Sequence, residues 1–153
     1  GGAEHFAKCI EEIRKISPDT KIEILTPDFK GNIESLNTII KAHPDVFNHN
    51  IEAVRGIFKT VRPQGNYDVS LSVLKYIKEN SDIKTKSDLY NVGCDILTVG
   101  QYIQPSKEHY PVGKYYKPEE YEELKKLATS VGIKHSQIGP LVRSSYNAAS
   151  LME

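Results

Sequence analysis

Apolar positions fall into two alternating rhythms along this chain. At 3–16 the residues Phe6, Ile10, Ile13 and Ile16 recur at three- and four-residue steps, which predicts an amphipathic helix ended by Ser17-Pro18-Asp19. The run IEILT at 22–26 reads as a short strand, stopped by Pro27, whose ring cannot donate to a sheet ladder. The helical rhythm returns at 32–42 through Ile33, Leu36, Ile39 and Ile40, and DVFNHN at 45–50 reads as a second strand. A Pro63-Gln64-Gly65-Asn66 turn leads into a helix at 67–80 carried by Leu71, Leu74 and Ile77, with a third strand expected at 83–86. DILTVGQYI at 95–103 is the most apolar and β-branched run, which predicts a strand buried on both faces. Pro118, Glu119 and Glu120 suit the first turn of a last helix, Gly132 closes it, and IKHSQI at 133–138 is a final strand.

Strands alternating with helices predict a parallel α/β sheet, because parallel neighbours need a helical crossover of about a dozen residues or more. An open sheet and a barrel are not separated by this pattern. One interval breaks the rule: about nine residues separate Lys86 from Ile96, too few for a crossover through a helix. Either a segment is missing there or those strands are not parallel neighbours. DLYNVG at 88–93 resembles the last turn of a helix with its glycine cap, which places the expected deletion between Ser87 and Asp88.

The 153 residues allow one folding unit with its own core. Twenty basic side chains balance 20 acidic ones, which argues against a general nucleic-acid binder. No apolar run approaches the roughly 18–20 residues of a membrane span, and GGAEHFAKCIEE lacks the features of a signal peptide. The 2 cysteines, Cys9 and Cys94, form no spaced metal motif; both are expected to be small buried thiols. Tyr110, Tyr115, Tyr116 and Tyr121 with Lys114 and Lys117 read as a packing cluster at a helix start rather than a nucleic-acid surface, since Glu119, Glu120, Glu122 and Glu123 follow.

Polar residues gather where strands end: Thr26, Pro27 and Asp28; Asn48, His49 and Asn50; Gln101, Gln104 and Pro105. Parallel α/β folds bind ligands outside the carboxyl ends of strands, so these clusters either line one site or serve as loop caps. A general base at His43, His49 or His109 lacks any partner at informative spacing.

Read together, GGAEHFAK at 1–8, IEILTPDF at 22–29, DVFNHNIE at 45–52, VRP at 61–63, DILTVGQYIQPS at 95–106 and GPLVRSSY at 139–146 resemble lipoyl synthases over nearly the whole chain. The last two strings are the specific ones. The resemblance implies a partial (β/α) barrel of the radical S-adenosylmethionine type, a single domain over 1–153 with a C-terminal tail at 139–153. It also implies two 4Fe-4S clusters. One cleaves S-adenosylmethionine to a radical that removes hydrogen from octanoyl carbons; the other donates the two sulfur atoms.

By the same resemblance Asn48 and Asn50 lie near the ribose and amino-acid portions of S-adenosylmethionine, Arg62 pairs with a carboxylate there, and Gln104 flanks the adenine. Arg143 would hold the tail against the site, and Ser144, or Ser145, would be an oxygen ligand of the sulfur-donating cluster, easing release of one iron. For both arginines the plainer alternative is a surface salt bridge. The implied partners are octanoylated lipoyl-carrier domains of 2-oxoacid dehydrogenase E2 subunits and of the glycine cleavage H protein, with an electron donor such as ferredoxin or flavodoxin. No nucleic acid or membrane span is implied. The implied location is cytoplasmic for a bacterial protein and mitochondrial or plastid for a eukaryotic one.

The cysteine loops of such enzymes are not in this sequence; the resemblance places them upstream of Gly1. It also implies about eighteen absent residues after Ser87, where the crossover is short. The chain is therefore expected to be inactive alone and poorly soluble if made to this sequence; a catalytically inactive module that binds carrier domains is the alternative.

Overall fold

A computed structural model describes residues 2–87 and 94–144. The described residues form five α-helices, a short 3-10 helix (Phe29–Gly31) and five strands: α1 (Ala3–Ile16), β1 (Glu23–Leu25), α2 (Ile33–Ala42), β2 (Val46–Asn48), α3 (Arg55–Val61), α4 (Tyr67–Asn80), β3 (Lys84–Ser87), β4 (Ile96–Gly100), α5 (Pro118–Ser130) and β5 (His135–Gly139). Local chemistry sets several boundaries. Asn32 caps α2 by accepting from Ser35 N at 2.7 Å, and Asn66 caps α4 by accepting from the N–H groups of Asp68 and Val69. At α5, Pro118 occupies the first turn and Glu120 Oε2 reaches back to Lys117 N at 3.0 Å.

The strands pair in the order β1-β2-β3-β4-β5, all parallel. An order that advances one neighbour at a time places every right-handed crossover helix on the same face. The packing agrees. Ile24 and Phe47 share a core with residues of α1, α2 and α4, while Leu97 and Ile138 pack with Tyr121 and Ala128 of α5. Because strand side chains alternate between faces, the register puts Glu23, Asn48, Lys86, Ile96, Thr98 and Gln137 together on the face opposite those helices. Val46 and Ile96 form a small apolar cluster there.

The expected parallel α/β architecture is thus present, with β1 and β5 at the sheet edges. As expected, β4 is buried on both faces at Ile96, Leu97 and Thr98. β3 and β4 are parallel neighbours, joined only by residues 88–95. That leaves the missing-segment explanation of the short interval. The DLYNVG string at 88–93 falls outside the described residues.

Two expectations need correction. Cys94 is buried as expected, but Cys9 is exposed, its Sγ 3.8 Å from His5 Nε2. Consecutive helical residues are about 100° apart, so Cys9 lies to the side of buried Ile10 rather than in the stripe. The stripe itself runs out: Ile13 is 40% and Ile16 85% exposed. Among the described residues, no helix is long and apolar enough to cross a membrane.

Candidate functional site

The carboxyl ends of β1–β3 hold an unusual concentration of buried polar groups. Thr26, Asn48, His49, Lys86 and Ser87 are all buried there. The strand pairing accounts for their backbones: Thr26 N donates to Asn48 O at 3.0 Å, and His49 N to Lys86 O at 3.1 Å. Their side chains are another matter. Asn48 Nδ2 donates to Glu23 Oε1 at 2.8 Å, yet Asn48 Oδ1 is buried without a hydrogen-bond partner, and so are Thr26 Oγ1, His49 Nε2 and Asn50 Oδ1. Buried polar atoms in folded proteins are nearly always paired, so four at one sheet end make this the candidate site among the described residues.

His49 has a defined tautomer. Its Nδ1 lies 2.8 Å from the Thr26 carbonyl, which only accepts, so Nδ1 carries the hydrogen, and in the neutral ring Nε2 is the acceptor. The unpaired atoms of this cluster, the Thr26 hydroxyl included, can all accept a hydrogen bond. A matching ligand is therefore rich in donors such as hydroxyl or ammonium groups.

Beside them, Lys86 is fully buried and its Nζ donates to both Glu23 carboxylate oxygens, at 2.9 and 3.0 Å. Sequence reasoning missed this pair. Glu23 alternates with Ile22 and Ile24 as a solvent-facing strand residue would, so its string alone carried no signal.

The ends of β4 and β5 form a second group. A Cβ at Gly100 would sit 2.2 Å from the Val142 carbonyl oxygen and 3.1 Å from Arg143 Nη1, so glycine lets the chain after β5 fold across the end of β4. The strings DILTVGQYIQPS and GPLVRSSY meet here, with Gly100 opposite Gly139 in the register. Gln101 then holds the loop to α5: its Nε2 donates to the carbonyls of Tyr102 and Lys114, and its Oε1 accepts from Tyr116 N and Tyr121 Oη.

Each expected site residue can now be placed. Asn48 and Asn50 lie together at the end of β2. Gln104, half-buried in the loop after β4, donates to His109 O at 2.9 Å. Arg143 is exposed and donates to Val142 O at 2.6 Å, and Ser144 follows it, half-buried. Ser145 falls outside the described residues. Arg62 ends α3 and pairs with Glu52, the surface ion pair that was its plainer alternative, which ties it to the segment following β2. Of the other histidines, His43 pairs with Asp82 and His109 lies near Ser106, both exposed. Of the tyrosines expected to form a packing cluster, Tyr121 alone is buried, its ring 6.0 Å from that of Tyr116 at the start of α5, while Tyr110, Tyr115 and Tyr116 are exposed.

No protein-family model matches the chain. Curated relatives do. The lipoyl synthase of Caldicellulosiruptor saccharolyticus is 46% identical over 97% of this chain and 59% of its own length. The lipoyl synthases of Shewanella denitrificans and Rubrobacter xylanophilus are 47% and 44% identical, again over 97% of this chain and over 52% of theirs. The first alignment extends over 167 positions although this chain has 153 residues, so the relative carries residues within the matched region that have no counterpart here. The chain is a homologue of the lipoyl synthases, and it spans about half the length of the curated relatives it matches.

Proposed function

We propose that this chain supplies part of the S-adenosylmethionine site and the C-terminal tail of a lipoyl synthase, which inserts two sulfur atoms into a protein-bound octanoyl chain. The observation that carries the proposal is the set of buried, unpaired acceptors at the carboxyl ends of β1 and β2, where parallel α/β folds bind ligands. The singly wound sheet is read as part of a (β/α) barrel, with helices outside and the Glu23–Asn48–Lys86 face lining its interior.

S-adenosylmethionine fits these atoms. Its ribose hydroxyls and ammonium group donate, and Asn48 Oδ1 and Asn50 Oδ1 accept. Gln104 and the end of β4 would flank the adenine, and Arg62 would exchange Glu52 for a ligand carboxylate. When bound, S-adenosylmethionine supplies the means of removing hydrogen from unactivated carbons, while these residues orient it and exclude water. Arg143, whose Nη1 lies beside Gly100, would hold the tail across the end of β4.

The described residues do not by themselves fit a 4Fe-4S cluster. Cys9 is exposed on α1, Cys94 lies buried before β4, and among the described residues no group of three or more His, Cys, Asp or Glu side chains could hold a metal ion. The proposed contribution to a cluster is Ser144, with thiolates supplied from outside these 153 residues. The proposed partners are octanoylated carrier domains and a ferredoxin- or flavodoxin-type electron donor.

A second reading, an inactive module that binds carrier domains, is favoured by the short link between β3 and β4, since the matched relative carries residues that this chain lacks. Isothermal titration with S-adenosylhomocysteine separates the two. Saturable binding that is lost in Asn48→Ala supports the S-adenosylmethionine site. No binding by the unaltered chain sinks that reading and leaves the module.

A further inference from the structure

Glu23 and Lys86 are 63 positions apart in sequence, yet their side chains meet with exposures of only 13% and 0%. Such pairs seldom exist for stability, since apolar residues of similar volume often do as well or better. This pair has a third member. Asn48 Nδ2 donates to Glu23 Oε1, the same oxygen that accepts from Lys86 Nζ at 2.9 Å. A carboxylate can only accept, so the Asn48 amide has one permitted orientation: nitrogen toward Glu23, oxygen away. The oxygen so presented is the buried, unpaired Oδ1.

We propose that the Glu23–Lys86 pair is a positioning device that locks the Asn48 amide, so that Oδ1 always faces the ligand as an acceptor and selects a hydroxyl or ammonium donor. Asn48 is directly opposite Lys86 in the register, and Glu23 lies diagonally across from it, two residues before Asn48's partner Leu25, so the lock spans three adjacent strands on one face of the sheet. A glutamine at position 23 would carry both a donor and an acceptor and would let the amide turn over. The proposal rests on the reading of Asn48 as a ligand contact.

Removing Glu23 alone would leave a buried ammonium without its partner, so the test uses the double variant Glu23→Gln/Lys86→Met, which keeps the side-chain volumes and removes both charges. Two quantities are measured on the same chain. The first is hydrogen–deuterium exchange of the Asn48 side-chain amide without ligand, followed by NMR. The expected result is slow exchange in the unaltered chain and exchange about tenfold faster in the double variant, with the backbone amides of β1–β3 little changed. Equal Asn48 exchange in both overturns the lock, as does an equal acceleration of the backbone amides, which would make the pair merely structural. The second is the affinity for S-adenosylhomocysteine, expected to fall about tenfold, the scale of one well-placed hydrogen bond. Unchanged affinity overturns the selection of a donor. If the unaltered chain does not bind, the functional reading fails, and the exchange result alone decides the lock.

Discussion

The two ends of the sheet treat the same kinds of polar group in opposite ways. At the amino end, Asp45 and Asp95 each precede a strand and each carboxylate is fully engaged. Asp45 accepts from Ile22 N at 2.9 Å and from Lys21 Nζ at 3.0 Å, with Arg14 at 3.4 Å. Asp95 accepts from Thr85 N at 3.0 Å and Thr85 Oγ1 at 3.2 Å, and pairs with Lys78 of α4. Both aspartates thus clamp the neighbouring strand and a lysine to their own strand. At the carboxyl end, Asn48 and Asn50 keep acceptors unpaired in buried positions. Polar atoms at the amino end are spent on the fold, and on the function proposed above those at the carboxyl end are held back for a ligand.

If that division is right, the largest loss of stability comes from the amino end. Asp95→Ala removes the clamp between β3 and β4, whose register among the described residues is Lys86↔Ile96 and Ser87↔Leu97, and leaves Thr85 N without its carboxylate. The expected cost is about 2–3 kcal/mol, because an abandoned buried donor loses more than the bond itself is worth. The urea midpoint measures it, and a shift no larger than that of an exposed-site control would break the comparison.

Acid should find the same end. For both Asp45 and Asp95, burial is the largest single influence and acts to raise the carboxyl pKa. For Asp45 it is outweighed by the Ile22 N–H, Lys21 and Arg14; for Asp95, by Lys78 and the Thr85 donors, so both carboxyls are held below their ordinary values. A carboxyl lowered on folding contributes stability that is complete above the unfolded value, about 3.9, and is lost as pH falls through the folded value. The urea midpoint is therefore expected to be level near neutrality and to fall below about pH 4. Asp45→Asn/Asp95→Asn should flatten that acid limb; an unchanged slope would assign it to other carboxylates.

How much of this contrast was legible beforehand depended on range. The helices at 3–16 and 67–80 were readable because their apolar spacing and turn residues are local. α3 was missed because it is short and, among its described residues, buries only Phe58, too little for a periodicity. The Asn48–Asn50 cluster could be named from its string, but its unpaired atoms depend on what Glu23 and Thr26 contribute from β1. Glu23 and Lys86 are spaced like solvent-facing strand residues, and only their meeting across the parallel strands β1–β3 shows them buried. The short interval after Ser87 was legible because crossover length is a covalent limit rather than a matter of packing.

The smallest expected effect on stability is at the carboxyl end, and it is the sharpest test of the division. Asn48→Ala removes one hydrogen bond to Glu23, whose carboxylate keeps Lys86, and it also removes the unpaired Oδ1. Deleting a buried acceptor that has no partner relieves a desolvation cost, which offsets much of the lost bond, so the net change should be under about 1 kcal/mol. Asn48 is as deeply buried as the core isoleucines around it, and burial alone would lead one to expect far more. A loss rivalling that of Asp95→Ala would mean that Asn48 belongs to the fold as much as the clamps do, and that the carboxyl end holds nothing in reserve.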